Sequence, residues 1–149
     1  MSDLNKLICS MRRHKLETAQ PLIISASQES CKTYAAHLYA VIHATHYQSH
    51  VVIHGLDMEL MANVLMHEVS RCDFRVVRNG VNILKEGGEL FSTIRSFGRL
   101  CARNADLCII DDAHKEVHRL KTMLDSCPPT ARQIVLGSPA EPGEPRNVW

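Results

Sequence analysis

The chain has 149 residues, of which 45% are hydrophobic and 22% are charged, and its formal net charge is +1. This size and balance are typical of one globular domain with a sizeable core. A net charge near zero argues against a strongly basic nucleic-acid coat, so any nucleic-acid contact is expected to be local. The apolar runs are too short to span a bilayer, which argues against a membrane protein.

The cysteines lie scattered along the chain without a CxxC pair. They are Cys9, Cys31, Cys72, Cys101, Cys108 and Cys127. This spacing is not that of a disulfide framework, so we expect reduced thiols and a cytoplasmic protein.

The first third of the chain predicts alternating helices and strands. Residues 2–17 carry apolar side chains at helical spacing and predict an amphipathic helix or arm. A short apolar strand over 22–25 is followed by a helix over about 31–47. A second buried strand is predicted at 51–53.

The middle of the chain predicts a helix and a hairpin. Residues 56–70 have helical periodicity, and Asp57 is placed to cap that helix. The runs 74–77 and 81–84 flank an Asn-Gly pair, which predicts a β-hairpin with a tight turn. A further strand is expected at 90–94.

The last third predicts strand, helix and strand. Residues 107–110 form an apolar strand, and a helix containing Leu120 and Leu124 is closed by two prolines. Residues 133–136 predict the last strand. We therefore expect an N-terminal helix or arm at 1–20, one domain at 21–139 and a loose tail at 140–149.

This alternation predicts an α/β protein with a mostly parallel sheet and helices on both faces. Ligands of such sheets bind at the carboxyl ends of the strands. Lys32, Asp111 and Gly137 each follow a predicted strand, so we expect them to share one rim of the sheet.

Two segments carry the residue types of a nucleotide-phosphate and Mg²⁺ site. In the first, an apolar strand runs into a loop that ends in Lys32-Thr33 and opens a helix. In the second, an apolar strand ends in Asp111-Asp112. Lys32 would hold phosphate, Thr33 and Asp111 would hold Mg²⁺, and Asp112 would polarise the attacking water. The predicted nucleotide-binding segment comprises Ala26, Ser27, Gln28, Glu29, Ser30, Cys31, Lys32 and Thr33.

Both glycines expected in a phosphate loop are replaced, by Ala26 and by Cys31. Glycine there permits a positive φ and a close approach of backbone to phosphate. A cysteine directly before the lysine would crowd the phosphate, and a positive φ would cost about 1 kcal/mol. Weak nucleotide binding or none is therefore expected.

The ordered motifs resemble those of the ATPase domain of tailed-phage terminase large subunits. The phosphate loop matches at 26–33, an Asn-Gly-x-x-Ile hairpin at 79–83, and an Ala-Asp-apolar-Asp-Asp-Ala strand at 105–113. A Gly-Ser-Pro turn at 137–139 matches the Gly-Thr-Pro coupling turn of that family. The resemblance spans roughly 20–140, and related helicase-like ATPases share much of it.

The resemblance implies a three-layer P-loop NTPase fold of the RecA-like type. It implies ATP and Mg²⁺ as ligands, hydrolysis that is weak or depends on assembly, and a role in viral DNA packaging. Gly137, Ser138 and Pro139 would couple hydrolysis to motion. DNA, other packaging or host proteins, and further copies of the chain are the partners it implies.

Departures from the family pattern support an alternative function. The loop arginine of the family falls on Gln28, and its glycine falls on Cys31. The alternative is therefore a catalytically inactive pseudo-ATPase that binds a nucleic acid or a protein.

Arginines recur every four residues at Arg95, Arg99 and Arg103. On one helix they would form a basic stripe suited to a phosphodiester backbone. A solvated surface face is the alternative, because charge runs usually lie at the surface.

Two further chemistries are open on sequence grounds. Cys101, Cys108, His114 and His118 are potential zinc ligands, although Cys108 belongs to an apolar strand. Cys31 at a helix start is a potential nucleophile with His114 as its base.

Overall fold

The computed structural model describes residues 3–13, 21–25, 31–68 and 73–139. The helices are α1 (Asp3–Arg13), α2 (Lys32–His46), α3 (Met58–Glu68), α4 (Arg99–Ala102) and α5 (Leu120–Asp125), with a 3₁₀ turn at Ala113–Lys115. The strands are β1 (Leu22–Ser25), β2 (His50–His54), β3 (Asp73–Val77), β4 (Gly80–Leu84), β5 (Leu90–Ser96), β6 (Leu107–Ile110) and β7 (Arg132–Gly137). All the strands predicted from the sequence are present. The predicted loop residues 26–30 and the tail 140–149 lie outside the described residues.

The strands form one sheet in the order β1-β7-β6-β2-β5-β4-β3. The neighbouring strands β1, β7, β6, β2 and β5 pair in parallel. The remaining pairs, β5 with β4 and β4 with β3, are antiparallel. The predicted α/β class with a mostly parallel sheet is confirmed. Because β1, β7 and β6 are neighbours that pair in parallel, the chain after each of them emerges at the same rim, where the candidate site is found.

Alternate residues of the central strands point to opposite faces, as strand geometry requires. On β6, Leu107 and Ile109 belong to the core cluster that also contains residues of α1, α2 and α3. The neighbouring Cys108 and Ile110 belong to a second cluster with α4 and α5. Helices therefore cover both faces, and this three-layer arrangement confirms the prediction.

Helix α1 is part of the larger core. Its Leu7, Ile8 and Met11 are buried in the same cluster as α2 and α3, and Met11 is fully buried. Their spacing of one, three and four residues places them on a single stripe of the helix. No helix among the described residues is both long and apolar enough to cross a bilayer.

The turns follow the local sequence signals. The predicted β3-β4 hairpin is present, but its two turn residues are Arg78 and Asn79, which has a φ of 62°, and Gly80 already pairs with Val77. A side chain at Gly80 would collide with the carbonyl oxygen of Ile94 on the next strand, which restricts this position to glycine. At the start of α3, the Asp57 carboxylate accepts a hydrogen bond from the Leu60 N–H at 3.1 Å, so the predicted cap is confirmed.

Candidate nucleotide site

Helix α2 begins directly after a residue in the left-handed conformation. Cys31 has a φ of 63° and a ψ of 32°, the backbone region that favours glycine. The first turn of α2 contains no acidic side chain. Its N–H groups and the positive end of the helix dipole are thus presented to the rim of the sheet, an arrangement suited to an anion.

A hydrogen bond joins the two segments that the sequence singled out. The Thr33 hydroxyl on α2 donates to Asp111 Oδ2, at the end of β6, over 2.7 Å, although 78 positions separate the residues. The Lys32 side chain is buried beside them, with 5% of its surface exposed. Burial lowers the pKa of Lys32, and the carboxylates of Asp111 and Asp112 partly offset that effect. The structure therefore brings Lys32, Thr33, Asp111 and Asp112 together at one place.

Asp111 is a buried carboxylate, and one of its oxygens has no hydrogen-bond partner among the described residues. The residue is 2% exposed, and burial raises its pKa while the Thr33 hydroxyl opposes that shift. Asp111 Oδ1 receives no hydrogen bond from any described residue. An unsatisfied carboxylate oxygen beside a threonine hydroxyl provides the hard oxygen ligands that Mg²⁺ prefers. These residues fit the cation that the phosphate-loop motif implies.

Asp112 is held differently from Asp111. Its backbone is left-handed, with a φ of 51°, and Oδ2 lies 3.8 Å from Nζ of Lys115. Both of these side chains are well exposed, so the ion pair contributes little to stability. Lys115 nevertheless brings a second positive charge to the site. A cavity of about 260 Å³ is lined by Cys31, Lys32, Thr33, Tyr34, Asp112 and Lys115.

Two residues that the motifs did not reveal support the site from behind. Gly55 follows β2 with a φ of 90°, and a Cβ there would lie 3.3 Å from the Asp111 Cβ. His37 is fully buried; its Nδ1 lies 2.7 Å from the Thr33 carbonyl oxygen, and its Nε2 accepts from the Asp57 N–H at 3.0 Å. One neutral tautomer, with the proton on Nδ1, satisfies both contacts. His37 thus fixes the first turn of α2 against the loop after β2.

The predicted coupling turn contacts the segment that follows Asp112. Gly137 ends β7, and the N–H of the buried Ser138 donates to His114 Nδ1 at 3.1 Å. Pro139 follows in exposed, irregular chain. This hydrogen bond gives His114 a role in holding the β6 and β7 ends together.

The predicted arginine stripe on one helix is wrong. Arg95 lies on β5, where its guanidinium donates to the Val81 carbonyl at 3.1 Å and to the Asn82 side chain at 2.6 Å. Arg99 begins α4 and Arg103 follows it, both exposed. A strand continues through Ser96, so the four-residue spacing does not place the three side chains on one face. A nucleic-acid role for these arginines stays a prediction.

The predicted free thiols are seen at every cysteine that the structure describes: Cys9, Cys31, Cys101, Cys108 and Cys127. Cys108 is fully buried in β6, and its contact with Cys127, together with burial, raises the pKa of the Cys108 thiol. Among the described residues, no group of three or more His, Cys, Asp or Glu side chains could hold a metal ion. The zinc hypothesis has no support there.

No known family model matches the sequence, and no curated protein matches it. Solved structures do match. The large terminase of a thermophilic bacteriophage superposes with a TM-score of 0.64 at 14% identity, over 95% of this chain and 39% of the terminase. The same terminase in complex with ADP gives a TM-score of 0.62 at 12% identity, over 94% and 39% of the two chains.

A third match is the viral genome packaging motor of bacteriophage Phi-29, with a TM-score of 0.54 at 15% identity, over 84% of this chain and 45% of the motor chain. The chain thus spans about two fifths of the length of the terminases it matches. At sequence identities of 12–15%, the structural similarity establishes the fold alone. The resemblance predicted from the motifs is confirmed at that level: this chain has an α/β fold like that of phage large terminases.

Proposed function

We propose that this chain binds ATP with Mg²⁺ at the rim formed by β1, β6 and β7. The observation that carries the proposal is the 2.7 Å hydrogen bond from Thr33 to Asp111, with Lys32 buried beside it. A buried ammonium, a hydroxyl and a carboxylate from distant parts of the chain meet at the start of a helix. That combination is the one a nucleotide phosphate and its divalent cation require.

Each residue has a role that follows from its position. The Lys32 ammonium would neutralise phosphate oxygens within reach of the first turn of α2. The Thr33 hydroxyl and Asp111 would hold Mg²⁺, which supplies charge neutralisation at the phosphates when bound. Asp112 would orient the attacking water and accept its proton. Binding of Mg²⁺ would also remove the cost of burying the unpartnered Asp111 Oδ1.

Two features favour slow hydrolysis, or hydrolysis only within an assembly. Asp112 lies 3.8 Å from Lys115 Nζ, and aspartate is one methylene shorter than glutamate, so its carboxylate reaches less far towards an attacking water. Cys31 places a side chain where phosphate approaches the backbone. The same features support the alternative, a pseudo-ATPase that uses this scaffold as a nucleic-acid- or protein-binding module.

The matched proteins suggest the process in which the chain acts. They are two structures of a large terminase, one of them with ADP, and a viral genome packaging motor assembly. We infer a role linked to viral DNA packaging, with DNA, packaging proteins or further copies of this chain as partners.

Mg-ATP is expected to raise the melting temperature of the wild-type chain, and Lys32→Ala is expected to abolish that rise. A ligand present at a hundred times its Kd stabilises a protein by about 2.7 kcal/mol. Thermal unfolding with and without millimolar Mg-ATP measures the effect. Lys121→Ala, which removes an exposed lysine from α5, is the matched control and should keep the full rise. Equal shifts in Lys32→Ala and Lys121→Ala would place the nucleotide elsewhere.

Phosphate release separates the two functions. If the chain is an ATPase, Asp112→Asn should lose most of the turnover and keep the thermal shift with Mg-ATP. A wild-type chain that shows the shift but releases no phosphate, alone or with DNA, is the pseudo-ATPase. A wild-type chain with no thermal shift would overturn the ATPase proposal and favour the nucleic-acid- or protein-binding module.

A further inference from the structure

A second cavity lies at the opposite rim of the sheet, where the parallel strands begin. It has a volume of about 580 Å³ and is lined by residues that include His43, Tyr47, Ser49, Asp106 and Arg132. A neighbouring cavity of about 340 Å³ shares His43, Tyr47 and Arg132 with it. We call the two together the rim cavity. Its size is that of sites for small organic ligands.

Arg132 gives the rim cavity a cation that the described residues leave incompletely paired. Its Nε is buried without a hydrogen-bond partner among them. Its Nη1 makes only a long contact, 3.4 Å, with the Tyr39 hydroxyl. Because Nε is closed to solvent, an incoming carboxylate or phosphate would be bound by the terminal Nη groups, whose planar arrangement of donors binds such anions in pairs.

Aromatic rings form the wall beside Arg132. The rings of His43 and Tyr47 lie 5.0 Å apart between centroids, and Tyr47 is 61% exposed. The His43 Nδ1 lies 3.1 Å from the Ser49 hydroxyl, which fixes its ring. An exposed tyrosine ring supported by a buried ring is a stacking surface for a planar group, and stacking on such rings is tolerant of base identity.

Asp106 sets the orientation of a ligand. Its Oδ2 accepts a hydrogen bond from the His50 N–H at 2.8 Å, so the carboxylate is held at the cavity. A carboxylate repels an anion and attracts amino groups. A ligand would therefore turn its anionic end towards Arg132 and an amino-bearing ring edge towards Asp106.

We propose that the rim cavity binds a planar aromatic ring joined to an anionic group, the chemistry of a purine nucleotide. Arg132 holds the phosphate, Tyr47 stacks on the ring, and Asp106 accepts from an exocyclic amino group. The ligand is a free nucleoside monophosphate or one nucleotide of a single-stranded nucleic acid. This site is separate from the ATP site, because Lys32 and His43 lie at opposite ends of α2, about 16 Å apart along its axis.

The test titrates AMP into full-length protein carrying Lys32→Ala, so that the site at the other rim does not contribute. Adenosine and ribose 5-phosphate, each with half of the recognised chemistry, are titrated in parallel by calorimetry. We expect AMP to bind more tightly than either half. Arg132→Gln in the same background should weaken AMP at least about tenfold and leave adenosine nearly unchanged. Tyr47→Ala should weaken AMP and adenosine alike.

Arg78→Gln, which alters an exposed arginine in the β3-β4 turn, is the matched control and should bind AMP like the parent. If Arg132→Gln does not fold, the exposed Tyr47→Ala variant provides the decisive comparison. A hexanucleotide of deoxyadenosine that binds much more tightly than AMP identifies a nucleic-acid strand as the source, and equal affinities identify a free nucleotide. No AMP binding at millimolar concentration, or equal AMP affinity in Arg132→Gln and Arg78→Gln, would overturn the proposal.

Discussion

Cys31→Gly is expected to tighten Mg-ATP binding about tenfold, a gain of about 1.4 kcal/mol. Cys31 has a φ of 63° directly before the buried Lys32 and lines the small cavity at the start of α2. Removing its Cβ and Sγ opens the path by which phosphate oxygens approach the backbone N–H groups. The affinity measured by calorimetry for the variant and the wild type gives the comparison.

Folding stability should change less than affinity in this variant. A left-handed conformation costs a non-glycine residue about 1–2 kcal/mol. Replacing Cys31 by glycine removes that cost, but it also increases the conformational entropy of the unfolded chain, which destabilises the fold by about 0.4–1 kcal/mol. The net stabilisation is therefore small, whereas the steric opening acts directly on the bound state.

Two controls separate the sources of the Cys31→Gly effect. Cys31→Ala removes the sulfur but keeps a Cβ, so it should recover only part of the affinity. Asn79→Gly relaxes a φ of 62° in a hairpin remote from the site and should leave the affinity for ATP unchanged. Wild-type affinity in Cys31→Gly would show that the residue before Lys32 does not face phosphate.

Acidification should destabilise the chain through His43. Burial, reinforced by the nearby charge of Arg132, lowers the pKa of His43 from 6.5 to about 4. The unfolded chain therefore takes up this proton at a higher pH than the folded chain does. Stability contributed by the neutral ring is complete above pH 6.5 and is lost as the pH falls towards 4. At pH 4.5 the loss from this group alone is about 2 to 3 kcal/mol.

Denaturant unfolding at pH 7.5 and pH 4.5 measures this loss. His43→Gln should lack about 2 to 3 kcal/mol of the wild-type difference in unfolding free energy between the two pH values. His46→Gln, which alters an exposed residue of the same helix, should retain it. The raised pKa of Asp111 acts in the opposite direction, stabilising the fold as pH falls, and it is common to all three proteins. A wild-type pH difference in His43→Gln would contradict the assignment.

Much of the fold was predictable because its signals are local. The apolar runs of β1, β2, β6 and β7 identify buried strands, and Asn79-Gly80 identifies the hairpin turn. The rule that parallel strands place their carboxyl ends at one rim was enough to bring Lys32 and Asp111 together. That inference required only that each residue follow a predicted parallel strand, without knowledge of which strands are neighbours.

The missed features depend on which strands are neighbours. Gly55 approaches Asp111 because β2 lies beside β6, and the sequence does not state that order. His37 likewise joins α2 to the loop after β2, because its Nε2 accepts a hydrogen bond from the Asp57 N–H. The arginine stripe failed because β5 extends through Ser96, where alternation replaces the helical period. The rim cavity lies where the start of β7 is close to the end of α2. No sequence motif predicts that contact.

The central claim is that Thr33 and Asp111 form a cation site that supports nucleotide binding. Calorimetric titration of ATP in Mg²⁺ and in EDTA, for the wild type and for the near-isosteric Thr33→Val, tests it most directly. We expect Mg²⁺ to strengthen ATP binding to the wild type about tenfold or more, and Thr33→Val to lose most of that gain. Equal ATP affinity with and without Mg²⁺ in the wild type, or an undiminished Mg²⁺ effect in Thr33→Val, would contradict it.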